Sequence, residues 1–466
     1  MSFETPPPVG SDHPPEPPGW PLVGHLYRFW RDPLGFLGEA ARLGDVVRLK
    51  LGPYRAYLLT TPELVQQVFQ TLHRKTEKKS PVQRGAKQIL GEGLATSEGE
   101  FHLKQRRLIQ PSFHRARIEG YGREFVKQTA RHIASWKDGD ELDVAQEMTR
   151  LTLAIVAKTL FDADVGDEAA EIGRVVEDAT ALFKSVLLPF PELRKRLPLP
   201  STRRMARARA RLDTTIYRFI AEHRADGRDR GDLLSMLMEI RDDETGEAMP
   251  DRQIRDEALT LFAAGHETSA NGLTWALYLL SQHPEVVAAA TKQIDDVLGG
   301  RLPEPADLLR LPLLRQIFAE ALRLYPPGWL ITVVTLEDVT LADYRVPANS
   351  MVMMAPWLMH RDPRFFDAPL EFRPERWTPQ MQEALPKYAY FPFGGGPRVC
   401  IGEHFAWMEA VMVLAVVLSQ WRFELAAWAR VEIQPVLTLR ARYGMPMILR
   451  RRSCPSQDSG GDSAAR

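Results

Sequence analysis

Apolar residues recur at helical spacing through most of the chain, and strand-like runs are short and few. Near the start, Val46–Leu51 and Ala56–Thr61 are two apolar runs joined by Gly52-Pro53, a pattern that predicts a β-hairpin. A short helix over roughly 33–43 precedes it, and Pro62-Glu63 opens another with proline in its first turn. Residues 117–245 form a series of amphipathic helical patterns broken at Pro189, Pro191, Pro198 and Pro200. From Arg252 to Gln282 there is no proline, which predicts one long helix. Phe405–Trp421 is apolar on every side and predicts a buried helix. The pattern therefore describes a mainly α protein with small β-sheets (α+β).

The two ends differ from the middle. Eight of the first 21 residues are proline, so residues 1–16 are expected to be a disordered arm. No apolar run there approaches the ~20 residues of a spanning helix, and no signal peptide or membrane anchor is expected. Residues 451–466 are polar and rich in glycine and serine, a second disordered segment. Residues 17–450 then form a single domain. Basic and acidic residues balance at 60 each, which excludes a bulk nucleic-acid-binding role. Two cysteines, Cys400 and Cys454, exclude a disulfide framework and point to a reducing, cytoplasmic setting. Cys454 lies in the polar tail and has no expected role.

Cys400 sits in Phe393-Gly394-Gly395-Gly396-Pro397-Arg398-Val399-Cys400-Ile401-Gly402. Alone it would read as a structural core cysteine. A core cysteine needs neither three glycines nor an arginine, whereas a ligand loop uses both. The glycines permit left-handed angles and close approach to a flat ligand. The helix expected to start near Gly402 offers unpaired N–H groups and a positive dipole end, which favour a thiolate. The loop resembles the cysteine-ligand segment of the cytochrome P450 family, Phe-x-x-Gly-x-Arg-x-Cys-x-Gly, at every fixed position. The resemblance implies haem b, held between the long central helix and this loop, with Cys400 as axial ligand of the iron.

Four further segments agree with that family. In the long helix, Ala263-Ala264-Gly265-His266-Glu267-Thr268 matches its oxygen-handling signature. The resemblance implies that Thr268 stabilises activated dioxygen and that Glu267 relays protons, with Gly265 and Ala264 against the cofactor. Gly265 and Thr268 in one turn predict a local widening of the helix. Glu320-Ala321-Leu322-Arg323 and Pro374-Glu375-Arg376-Trp377 resemble the paired motifs in which Glu320, Arg323 and Arg376 form a structural network behind the cysteine. Phe101–Leu108 resembles the helix whose His102 and Arg106, one turn apart, reach a haem propionate. Many relatives carry an arginine near Val333 for this purpose. Its absence here leaves Arg106, Arg398 and His360 to hold the carboxylates.

Lys75, Lys78, Lys79, Arg84 and Lys87 lie in a stretch that the resemblance makes a mobile loop over the pocket. They are expected to be solvated, with a substrate carboxylate as the competing use. The overall expectation is a monomeric monooxygenase that hydroxylates or epoxidises a hydrophobic molecule with O2. Two electrons would come from a ferredoxin or flavodoxin-type donor and its reductase, docking on Lys104, Arg107, Arg115 and Arg117. The apolar stretch Leu330–Val334 favours a terpenoid substrate, with a fatty acid second. The alternatives are a peroxide-driven or isomerising family member and a haem-thiolate sensor without turnover.

Overall fold

The computed structural model describes residues 13–162, 200–241 and 246–452. Expectations for the first twelve residues, for Pro189, Pro191 and Pro198, and for Cys454 with its tail lie outside the described residues.

A five-stranded sheet is built from β1 (Val46–Leu51), β2 (Tyr54–Leu59), β3 (Thr76–Glu77), β4 (Ile331–Thr335) and β5 (Met351–Met354). Their order is β1-β2-β5-β4-β3. The first two form the expected antiparallel hairpin, with Leu51 opposite Tyr54. β2 pairs parallel to β5, and β4 is antiparallel to both β5 and β3.

Eight helices position the site: α1 (Pro81–Leu90), α2 (Gly99–Ile109), α3 (Arg115–Ile133), α4 (Val144–Phe161), α5 (Pro200–Asp226), α6 (Asp251–Gln282), α7 (Pro312–Leu324) and α8 (Glu403–Gln420). Pro250 precedes α6 and Pro284 follows it, so the proline-free interval sets its length. α8 is buried almost throughout, because no face of it is polar enough to meet water. The main core packs α6, α7 and α8 through Leu273, Trp275, Ile317, Val413 and Leu414, with Phe125 of α3 and Leu151 of α4. Burial on this scale, at about 25 cal/mol per Å² of apolar surface, is the chief force holding the long helices together.

Three expectations are corrected. The stretch expected to be a mobile loop contains α1, closed by a capping box: Gln83 N–H donates to Ser80 Oγ (3.4 Å) and Ser80 N–H to Gln83 Oε1 (2.9 Å). The end of the proline-rich arm is held on β1, where Arg48 N–H donates to Pro15 O and the Arg48 guanidinium pairs with Glu16. At the other end, Arg451 completes a strand opposite Trp421, and Arg452 pairs with Asp295 (2.7 Å).

Candidate active site

Gly394 and Gly396 take φ of +74° and +64° in the cysteine loop. At Gly396 a Cβ would stand 2.2 Å from the Phe69 carbonyl oxygen, so both backbone angle and space demand glycine. Cys400 N–H donates to Phe393 O (2.9 Å), and Arg106 Nη1 donates to Val399 O (2.8 Å). α8 begins at Glu403 with Gly402 as its cap, as the loop pattern implied. Burial pushes the Cys400 thiol up, and the Gly402 N–H pulls the other way. The expected lowering by the helix end is thus present and outweighed. Cys400 is nonetheless exposed, because the surface it shows is the wall of an internal cavity.

That cavity measures about 800 Å³. Ile331 and Val333 of β4 and Phe393 of the loop form part of its apolar wall. Across from the loop, α6 contributes Leu261, Ala264, Gly265 and Thr268. Thr268 shows its side chain to the cavity and donates from Oγ1 to Ala264 O (2.7 Å). The expected widening is absent: α6 is a continuous α-helix. Gly265 instead admits α4, since a Cβ there would lie 3.1 Å from Val156 Cγ2. In the same crossing Thr152 Oγ1 donates to His266 O (3.0 Å). Glu267 turns away from the cavity and accepts from Thr438 Oγ1 (2.6 Å), which in turn accepts from Asn271 Nδ2 (3.1 Å).

One edge of the cavity is charged. It carries Lys78, Glu98, His102 and Arg398. Arg398 Nη1 donates to Ser97 O (2.8 Å) and lies 2.9 Å from His102 Nδ1, while its Nη2 pairs with Glu98. Burial first, then Arg398, push His102 down to about 3, so its ring is neutral. Nδ1 stands between the Arg398 guanidinium (2.9 Å) and the Leu94 carbonyl oxygen (3.1 Å), while Nε2 is buried and has no partner among the described residues. Sequence reasoning named Lys78 among five cations of the pocket-covering stretch without singling it out, and missed Glu98 as a member of this edge.

His360 does not belong here, which corrects its expected role at the carboxylates. It is fully buried, and Nε2 accepts the Phe391 N–H at 2.9 Å. Burial holds it well below the usual histidine range, so it is a neutral pin in the core. Its carbonyl accepts from Arg323 Nη1 (2.8 Å). Arg323 also grips Glu320 through Nε and Nη2, both at 2.8 Å. Arg376 Nε donates to Glu320 Oε1 (3.0 Å), and Trp377 Nε1 donates to Oε2 (2.9 Å). The tryptophan closing the second motif is therefore the fourth member of the network.

A second buried carboxylate also escaped the sequence reading. Glu409 of α8 accepts from Ser269 Oγ (2.5 Å), the neighbour of Thr268. Burial pushes it up to about 8. A lone acid in an otherwise apolar run was the available signal.

A thiol open to the cavity, a loop whose glycines let backbone approach, and a donor edge with an orphaned ring nitrogen fit the face and the carboxylate edge of a haem. Residues 14–439 match the family model described as Cytochrome P450. The chain is 42% identical over 431 residues to cyclooctatin synthase of Streptomyces melanosporofaciens, covering 91% of this chain and 93% of that protein. Cyclooctat-9-en-7-ol 5-monooxygenase of the same organism is 38% identical, with 89% and 92% covered. Pentalenene oxygenase of Streptomyces avermitilis is 38% identical, with 86% and 89% covered. In fold, it is similar to the crystal structure of the cytochrome P450DA heme domain, with a TM-score of 0.86, 27% identity, and 94% and 98% covered. By the family model and by these relatives, the chain belongs to the cytochrome P450 family.

Proposed function

We propose that this protein is a haem-thiolate monooxygenase that inserts one atom of O2 into a C–H or C=C bond of a terpenoid. The observation that carries the reading is the cavity itself: Cys400 faces it from one side, Thr268 from the other, and Ala264, Leu261, Ile331 and Val333 form apolar walls between. Such walls select a hydrophobic skeleton by shape and exclude water from the reacting centre. The relatives named for oxygenation of pentalenene and cyclooctat-9-en-7-ol, both terpenoids, support the same substrate class.

Cys400 would hold the haem, and the bound haem supplies the activation of dioxygen. Residues of the chain supply protons and position. Thr268 Oγ1 keeps its proton on the Ala264 carbonyl and leaves lone pairs towards the cavity, where they can accept and pass a proton. In this reading Glu267, held by Thr438 on the side away from the cavity, is the acid that supplies protons from behind the apolar wall. The Glu267–Thr268 pair favours this chemistry over a peroxide-driven or isomerising reaction. Haem b is the form of cofactor in this reading, since Cys454 is the only other cysteine and no pair is available for thioether attachment. Lys104, Arg107 and Arg117, all exposed on α2 and the start of α3, are the cations offered to an acidic electron donor.

The test is reductant consumption with a surrogate ferredoxin and reductase, with and without a cyclic terpenoid. Consumption that rises with the terpenoid and matches product supports an enzyme; consumption indifferent to every terpenoid removes the reading. Thr268→Ala is expected to keep consuming reductant while product falls about tenfold or more. Unchanged coupling would remove Thr268 from the proton path.

A further inference from the structure

We infer that Lys78 is a carboxylate-binding residue of the cavity and that the carboxylate it holds is a haem propionate. The inference rests on the haem-thiolate reading above. Lys78 lines the cavity, yet its Nζ has no hydrogen bond or ion pair with any described residue. Two of the three carboxylates lining the cavity are engaged elsewhere: Glu98 accepts the backbone N–H of Lys78 (3.0 Å) and pairs with Arg398, and Glu77 pairs with Lys79; the third, Glu100, is exposed on the first turn of α2. The other lysines of the segment have acidic partners, Lys75 with Glu337 (2.6 Å) and Lys87 with Glu92 (2.5 Å). Lys78 is thus the lysine of this segment left with an unbalanced, desolvated charge. Burial first, then Arg398, push its ammonium down to about 8, and an added carboxylate would reverse that shift.

Sheet register explains why the charge stands there. β3 pairs with β4 as Thr76 opposite Thr335 and Glu77 opposite Val334. The next position along, Lys78, falls beside Val333, and β4 itself sends only Ile331 and Val333 to the cavity. The neighbouring chain segment therefore brings a cation to the place where β4 brings none. A fatty-acid substrate could offer the same carboxylate chemistry. The cofactor is favoured because Lys78 stands on the cysteine-loop side of the cavity: its N–H is held by Glu98, which pairs with Arg398, two residues from Cys400. His102 Nε2, buried on the same edge with no partner among the described residues, is a second polar atom left for the same group.

Lys78→Met, Lys78→Gln, Lys78→Arg and, as a control, Lys75→Met holoproteins would be mixed with excess apomyoglobin and haem transfer timed by absorbance. Lys78→Met and Lys78→Gln are expected to lose haem about tenfold faster than the parent, the loss of one charge-assisted bond. Lys78→Arg and Lys75→Met should stay near the parent rate. Reconstitution with protohaem or its dimethyl ester gives a second readout: the parent's preference for the free acid should shrink about tenfold in Lys78→Met. Parent-like haem loss and parent-like preference in both neutral variants would overturn the inference. So would an unchanged haem readout with a weakened fatty-acid spectral response, which would assign Lys78 to substrate. Failure of the parent protein to form a thiolate-ligated haem complex would instead remove the underlying reading.

Discussion

Glu320 and Glu98 are both carboxylates set among arginines, yet their surroundings are built in opposite ways. Glu320 is fully buried and receives Arg323 twice, Arg376, the Trp377 indole and the Arg373 backbone N–H. Every charge in that cluster has a fixed partner within the chain. Glu98 answers to Arg398 and the Lys78 backbone, while the Lys78 ammonium and His102 Nε2 beside it stay unmatched among the described residues. A satisfied charge network is scaffolding; an unbalanced one open to a cavity is half of a binding site.

The sharpest way to break this contrast is to remove one partner from each cluster in the apoprotein. Arg323→Met leaves Glu320 buried with a reduced set of donors and should cost ~3–5 kcal/mol in chemical denaturation. Lys78→Met removes a cation that has no partner among the described residues and should leave apoprotein stability unchanged or higher. Equal losses in both would mean that the two clusters do the same work. A smaller effect belongs to Trp377→Phe, which removes one donor from Glu320 and should cost ~1–3 kcal/mol. A neutral result there would drop the indole from the network.

Glu409 sharpens the comparison through pH. Its folded pKa of about 8 lies above the ordinary 4.5, because burial favours the protonated carboxyl. A raised folded pKa gives stability that is fully present below about 4.5 and is lost as pH rises through about 8. Glu409→Gln should therefore flatten the decline in melting temperature across that window. A parent-like slope in this variant would place the pH dependence in other groups.

Much of this site was legible in the sequence wherever chemistry ties residue types to short spacings. The cysteine loop, the Thr268 turn of α6 and the Glu320–Arg323 pair are all of that kind. α1 was read as a loop from its Arg84 and Lys87 and the lysines before them, although Ser80-Pro81 followed by Gln83 is a helix start. Lys78 was legible only as one of five cations near the pocket; what singles it out is register with a strand more than two hundred residues later. His360 misled in the other direction. Its ring looked available, and only the packing shows Phe391 N–H occupying it and Arg323 holding its carbonyl. Substrate identity stays with the shape of the apolar wall, which arises from α6, β4 and the cysteine loop together.

The most direct measurement is the ferric haem absorption spectrum titrated with cyclic terpenoids and, separately, with fatty acids. Displacement of iron-bound water converts low-spin to high-spin haem and shifts the main band. The account predicts a saturable shift with a terpenoid and none with fatty acids, because the apolar wall selects the skeleton and the charged edge is engaged by the haem. A shift with fatty acids alone, abolished in Lys78→Met, would contradict it on both counts.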